Sequence, residues 1–328
     1  MAILVTGAFG NAGRYIVEEL LAQGRDVLAL DVRNRFTRKG ARLLERIAAG
    51  APGNLRVHWS DLTDRASLEA AFAGNSVEAI VHIAFIIPPF SETRAERARD
   101  INVEGTRRLM ELAGRHCPGA PFVFSSSVTV FGPTLEEEPP ITLEREPTPT
   151  SNYTRHKIEC ETMLRASSLD WRIIRFSAIM NPTFRPGKEL RNFGMRIDLR
   201  TRVEPVHVRD LAVAVRNMIE DDRASRKIFI GSGGENCRML FKDFLIKSLQ
   251  GAISNLREEH IPWDRFQGRP YYLDWYDTRE SQAILQFQTR DVDDYVRDLR
   301  ASLPGWQRFL AALFRPFAVR AIFSEIKR

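Results

Sequence analysis

Cysteine is scarce in this chain of 328 residues. The three present, Cys117, Cys160 and Cys237, are odd in number and far apart. That pattern argues against a disulfide framework or a thiolate metal cluster and fits a reducing compartment; no metal site is expected. Long hydrophobic runs are also missing, and none reaches the ~20 residues of a membrane-spanning helix. The amino terminus lacks the basic, apolar and small-residue zones of a signal peptide, so a cytoplasmic location is expected. Runs of a single charge are absent too. The 48 basic residues, mostly arginine, are scattered among 42 acidic ones for a net charge of +6. With no basic tract and no interleaved aromatics, nucleic-acid binding is not expected. A basic pocket for the phosphates of a small anionic molecule is the simpler reading. No internal repeat or low-complexity linker is evident.

What is there is ordinary globular material, 44% hydrophobic and 27% charged, with room for one large domain or two smaller ones. Apolar runs at 2–6, 26–31, 55–61, 78–84, 121–127 and 170–176 read as strands. Residues 11–24, 97–116 and 153–167 have helical period. Strands separated by crossover helices give a parallel sheet with helices on both faces, so the predicted fold is doubly wound α/β, Rossmann-like. After residue 180 the rhythm becomes polar and arginine-rich, then mixed, with a helix at 208–222 and a strand at 227–232. The expected organisation is a dinucleotide-binding domain over 1–180 and a smaller mixed C-terminal substrate lobe over 181–305. Residues 206–232 are expected to return to the first domain, and an amphipathic tail covers 306–328.

"TGAFGNAG" (6–13) lies between the first strand and the first helix. Gly7 permits a tight turn, Gly10 lets backbone approach a pyrophosphate, and Gly13 lets the helix pack close. The helix N-terminus then faces the phosphates. Asp31 ends the second strand, where a carboxylate accepts hydrogen bonds from the adenosine ribose and repels a 2′-phosphate, favouring NAD. Arg33 and Arg35 follow at once and would serve NADP. Asp61 and Leu62 stand where adenine would lie; a helix cap at Thr63 or Asp64 is the plainer use of that segment. Phe9, Asn11 and Ala84 complete the expected cofactor contacts. Tyr153 and Lys157 are four residues apart and share a helix face. An ammonium beside a phenol lowers its pKa toward the range of acid–base catalysis, although the spacing alone equally describes an exposed helical turn.

Together these pieces resemble the extended short-chain dehydrogenase/reductases, also called the NAD-dependent epimerase/dehydratase family. The likeness spans residues 2 to about 300. It is carried by "TGAFGNAG", "VHIA" (81–84), "NVEGTRRLMELA" (102–113), "FVFSSSVTVFG" (122–132), "YTRHK" (153–157), "VHVRDLA" (206–212) and "LDWYDTRESQAILQF" (273–287). The resemblance implies that Ser127 hydrogen-bonds the reacting oxygen, that Tyr153 exchanges its proton, and that Lys157 holds the nicotinamide ribose. Ser125 and Ser126 are read as strand-end caps, Asn102 as a structural residue beside the site, and His156 as outside the chemistry. A homodimer through helices 97–116 and 153–167 is also implied.

Departures narrow the substrate. Ala178 and Asn181 stand where nucleotide-sugar members carry Asn and Gly. Only 24 residues separate Pro182 from His207, and Phe131 replaces a tyrosine. Val128 and Thr129 follow Ser127 where dehydratases place acids, so dehydration is not expected. The loop "FIIPPF" (85–90) is apolar, and Phe85 and Ile86 are expected to meet a largely apolar substrate. Arg185, with Arg191 and Arg196, would pair any phosphate or carboxylate. The expected activity is NAD(P)-dependent hydride transfer between a ketone and a secondary alcohol. The alternatives are a nucleotide-sugar 4-epimerase with tightly held NAD and a non-catalytic dinucleotide sensor. The tail's stripe of Trp306, Phe309, Leu310, Leu313, Phe314 and Phe317 is expected to dock on the C-terminal lobe and help close the cleft. Contact with a membrane surface is the less favoured reading.

Overall fold

The computed structural model describes residues 1–185, 187–269 and 271–323; the tail expectation at 324–328 falls outside the described residues. Six apolar runs form β1 (Ala2–Thr6), β2 (Val27–Asp31), β3 (Leu55–Trp59), β4 (Val77–His82), β5 (Pro121–Ser127) and β6 (Asp170–Phe176). After the short β7 (Ile179–Met180), β8 (Arg202–Val203) and β9 (Val206–His207) comes β10 (Ile228–Gly231), and β11 is Met239–Leu240. The main sheet has seven strands in the order β10-β6-β5-β4-β1-β2-β3, all parallel.

Strand side chains alternate between two cores, as the period of 2 requires. Ile3, Val5, Val27 and Ala29 face one core with helices α1 (Gly13–Ala22), α2 (Arg35–Ala48) and a later helix at Val208–Glu220. Leu4, Leu28 and Leu30 face the other with α3 (Arg65–Phe72) and residues of the 105–116 and 152–166 helices. Strands buried on both faces read as continuous apolar runs for this reason.

One expected element is not regular. After the short α4 (Phe90–Thr93), the run 97–116 divides into the end of α5 (Ala95–Arg99), a π-helical segment Asp100–Glu104 and α6 (Gly105–His116). Within the π segment Asn102 turns toward the loop after β4, where its side chain accepts from Ile86 N (2.7 Å) and donates to Ile86 O (3.0 Å). Helix α7 spans Asn152–Ala166.

Beyond β6 a smaller lobe carries α8 (Lys188–Gly194), α9 (Val208–Glu220, which packs back on the sheet), α10 (Phe241–Ala252), α11 (Arg279–Leu285) and α12 (Val292–Ala301). Buried carboxylates staple it. Glu204 accepts from Gly234 N, Tyr276 N and Arg238 Nε, and Asp274 pairs with Arg202. The tail forms α13 (Gly305–Leu313) and α14 (Arg315–Phe323). It docks, but not through the expected stripe. Ala311, Ala318, Val319, Ile322 and Phe323 pack with Met195, Ile253, Leu256 and Phe266. Trp306, Phe309, Leu310, Leu313, Phe314 and Phe317 face outward, and none of them lines the cavities described below. Among the described residues no helix is long and apolar enough to cross a membrane.

Candidate functional site

The carboxyl ends of β1, β2, β4, β5 and β6 border a cleft of about 880 Å³ at the point where strand order reverses between β1 and β4, the usual ligand position in such sheets. Gly7 has φ +65°, and a Cβ on it would lie 2.9 Å from Ala84 Cα; one on Gly13 would lie 2.1 Å from Gly7 O. The loop must therefore stay bare. No side chain caps the N-terminus of α1, which suits an anion there. Asp31 at the end of β2 accepts from Phe9 N (3.0 Å) and Val32 N (2.8 Å). Burial outweighs these donors and raises its pKa. Asp61 and Leu62 line the cleft beyond it. Asp61 also accepts from Thr63 N and Oγ1, both at 2.9 Å, while Asp64 is the true cap of α3.

Ser127, Tyr153 and Lys157 converge on the same cleft. Helix α7 begins in a capping box, Ser151 Oγ accepting from Thr154 N (3.2 Å). Glu92 adds a second clasp, accepting from Asn152 N (3.0 Å) and Tyr153 N (3.1 Å). Lys157 Nζ donates to Ser125 O and stands 3.5 Å from the Phe85 ring centre. Burial lowers its pKa to about 7, against the attraction of Cys160 and Glu161. Tyr153 is part-exposed, yet desolvation by the protein packed around it raises its pKa well above 10 despite the opposing pull of Ser127. The expected acidification by Lys157 is thus reversed, because desolvation of the phenolate dominates. Strand-end capping also falls differently: Ser127 Oγ itself accepts from Thr129 N (3.3 Å), while Ser126 donates to Glu161 (2.5 Å).

A buried polar chain fixes the floor. Thr6 Oγ1 accepts from Ile83 N and Ala84 N, leaving its hydrogen for His82 Nδ1 (2.7 Å). His82 Nε2 meets Thr106 Oγ1 (2.8 Å), which donates to Asn102 O (2.5 Å). Burial, with the nearby Lys157 charge, lowers the His82 pKa to about 3, so the ring is neutral.

Tyr153 also borders a second cavity, of about 200 Å³, which no residue of the glycine loop lines. Phe193, Ile197, Tyr271 and Tyr272 make it largely aromatic, and Arg196, Arg269 and Glu92 add charge.

The NAD dependent epimerase/dehydratase family model matches residues 3–231. The chain belongs to the NAD-dependent epimerase/dehydratase family. Among curated relatives, UDP-glucose 4-epimerase 2 of Oryza sativa subsp. japonica is 32% identical over 52% of this chain and 42% of its own length. UDP-glucose 4-epimerase of Bacillus subtilis is 33% identical over 50% of this chain and 47% of its own. The chain thus spans about half the length of these epimerases. D-erythronate dehydrogenase of Haemophilus influenzae is 26% identical over 99% of this chain and 97% of its own. A UDP-glucose-4-epimerase structure from Stenotrophomonas maltophila has TM-score 0.76 at 20% identity, covering 95% of this chain and 99% of that one. It shares the fold.

Within this family frame two expected site residues lie elsewhere. The Phe9 ring packs in the core against Trp59 (5.3 Å between centres). Arg185 donates to Pro182 O (2.9 Å) and Ser302 Oγ (3.0 Å) and borders neither cavity. Of the two arginines after Asp31, Arg33 lines the cleft while Arg35 stacks on Phe36. Asn181, at the family's glycine position, donates to Asn11 O (2.9 Å) and so ties the glycine loop to the segment after β7. Sequence reasoning missed Glu92, Phe193, Tyr271 and Tyr272; the aromatic pair following the apolar loop in space had no short-range signal.

Proposed function

We propose that the chain is an NAD(P)-dependent oxidoreductase acting between a ketone and a secondary alcohol on a small, largely apolar substrate. The observation that carries this reading is the position of Tyr153, whose side chain is a shared wall between the large cleft and the aromatic pocket. The pocket's ~200 Å³ lies below the roughly 300–1,000 Å³ typical of drug-sized ligands, which favours a compact substrate over a nucleotide sugar. The full-length match to a dehydrogenase supports the same side.

The bare glycine turn and the open N-terminus of α1 fit a pyrophosphate, and Asp31 fits the adenosine ribose. Bound NAD supplies the hydride chemistry. Asp61 and Leu62 hold the adenine end, Ala84 and Phe85 wall the middle, and Lys157 holds the nicotinamide ribose. Ser127 steadies the substrate oxygen and Tyr153 gives it a proton in reduction or takes one in oxidation. With the phenol held in its protonated form by burial, Tyr153 is ready to donate at neutral pH, and alcohol oxidation should quicken as pH rises. Ile86 and the aromatic pocket exclude water from the reacting carbon.

A second reading, nucleotide-sugar 4-epimerisation by the same three residues, draws on the epimerases at 32–33% identity and on Arg196 and Arg269 at the pocket. The test is a substrate panel of small apolar ketones, small hydroxy acids and UDP-glucose, followed by NADH absorbance and product analysis. Reduction of a small ketone, lost by roughly 10²-fold in Tyr153→Phe with dinucleotide affinity retained, is expected. Conversion of UDP-glucose to its 4-epimer without net NADH change would establish the second reading instead.

A further inference from the structure

The tail helices α13 and α14 have apolar side chains on both faces. Their inner face is satisfied by the protein: Val319 and Phe323 are 8% and 2% exposed, and Arg265 donates to Phe323 O (2.6 Å). The outer face is not. Trp306 is 63% exposed, Phe309 66% and Phe317 72%, with Leu313 and Phe314 beside them. Residues 306, 309, 310 and 313 fall at i, i+3, i+4 and i+7, so on α13 they form one stripe, and α14 extends it past the break at Phe314. A contiguous apolar patch of this kind marks an interaction surface.

Its charge says which kind. From Leu299 to Phe323 the sequence contains Arg300, Arg308, Arg315 and Arg320 and no aspartate or glutamate. Arg300 and Arg320 are exposed, and by helical spacing Arg320 falls on the outward side of α14 with Phe317. A second copy seated on this face by two-fold symmetry would bring together two stretches that carry arginines and no acidic residue. An anionic bilayer would instead meet the aromatics with its acyl boundary and the arginines with its headgroups. Neither helix is long enough to cross, and the break at Phe314 separates them just before Pro316 in the first turn of α14.

We propose that α13 and α14 dock this protein on anionic membrane surfaces, with Trp306, Phe309 and Phe317 entering the headgroup–acyl boundary. The inference rests on the tail alone and is independent of the reaction assigned above. The probe is vesicle co-sedimentation of the full chain, using phosphatidylcholine vesicles with and without about one-third phosphatidylserine. The wild type should bind the anionic vesicles about tenfold or more tightly than the neutral ones, with binding weakened by added salt. The triple variant Trp306→Ser/Phe309→Ser/Phe317→Ser should lose anionic-vesicle binding by about tenfold or more. Because these side chains face outward, its melting temperature and dinucleotide affinity should match the wild type. Absence of wild-type binding to anionic vesicles overturns the proposal. So does a wild-type dimer that becomes monomeric in the triple variant without any vesicle binding, which would assign the face to a second copy.

Discussion

Replacing Lys157 with methionine should make the protein more stable while disabling its site. Lys157 is 2% exposed, and burial lowers its pKa from 10.5 to about 7. Between these values the unfolded chain binds a proton that the folded chain does not, so stability rises with pH across that window. The destabilisation is absent above the unfolded pKa, grows as pH falls, and levels off below the folded one. At ~1.4 kcal/mol per pKa unit, the cost is on the order of 4–5 kcal/mol at pH 6 and about 2 kcal/mol at pH 9. Methionine matches the length of the lysine stem without the charge. Loss of the hydrogen bond to Ser125 O costs about 1 kcal/mol at either pH. The stability gap between Lys157→Met and wild type should therefore widen by about 2–3 kcal/mol on going from pH 9 to pH 6. Urea unfolding of dinucleotide-free protein at the two pH values measures it. A gap constant to within about 0.5 kcal/mol would show that the ammonium is not desolvated and would refute the reasoning. Weaker dinucleotide binding by the same variant is expected, the usual tension between a stable fold and a working site.

Asp31→Ala should narrow the preference for NADH over NADPH in fluorescence titrations; a wild type that prefers NADPH would show that Arg33 governs the pocket. Arg175 and Glu161 are a buried pair, bonded at 3.1 and 2.7 Å, so Arg175→Met should cost roughly 3–5 kcal/mol by leaving Glu161 unpaired, and adding Glu161→Gln should recover much of it in the same urea assay. His82 stays neutral down to about pH 3, whereas the unfolded imidazole takes a proton below its ordinary 6.5. Wild-type stability should thus fall as pH drops through that window, and the slope should flatten in His82→Gln; equal slopes in both proteins would mean that His82 is not the titrating group.

Most of the sheet was legible because its strands are buried on both faces. Runs such as Ala2–Thr6 and Phe122–Phe124 are apolar throughout or nearly so, and the helical periods at 11–24, 97–116 and 153–167 fall between strands. The convergence of Ser127, Tyr153 and Lys157 was legible through motif order. Helix α2 was not marked: it is rich in arginine, and its start depends on Asn34 accepting from Phe36 N and Thr37 N, a local cap hidden in a polar stretch. Phe9 was misplaced because a loop aromatic reads the same whether its ring meets a ligand or Trp59. The docking face of the tail is not legible because both faces of α13 and α14 are apolar, and composition does not say that Val319, Ile322 and Phe323 rather than Trp306, Phe309 and Phe317 turn inward. The acidity of Tyr153 depends on how completely the folded chain encloses one oxygen, which spacing cannot express.

The π-helical segment Asp100–Glu104 has a meaning for how this protein tolerates insertions and deletions. A π turn holds one residue more than the α turn around it, so the run from Ala95 to His116 is one residue too long for a regular helix. Deleting a residue there would let the backbone relax into ordinary α geometry. It would also rotate everything on one side of the deletion by about 100° relative to the other. Asn102 would then leave Ile86, or Gly105 would leave Leu62, against which even a methyl would crowd at 2.8 Å. The segment most easily shortened in local backbone terms is thus one of the least editable in the chain, because its surplus residue sets the angular phase between the wall of the dinucleotide cleft and the helix behind it.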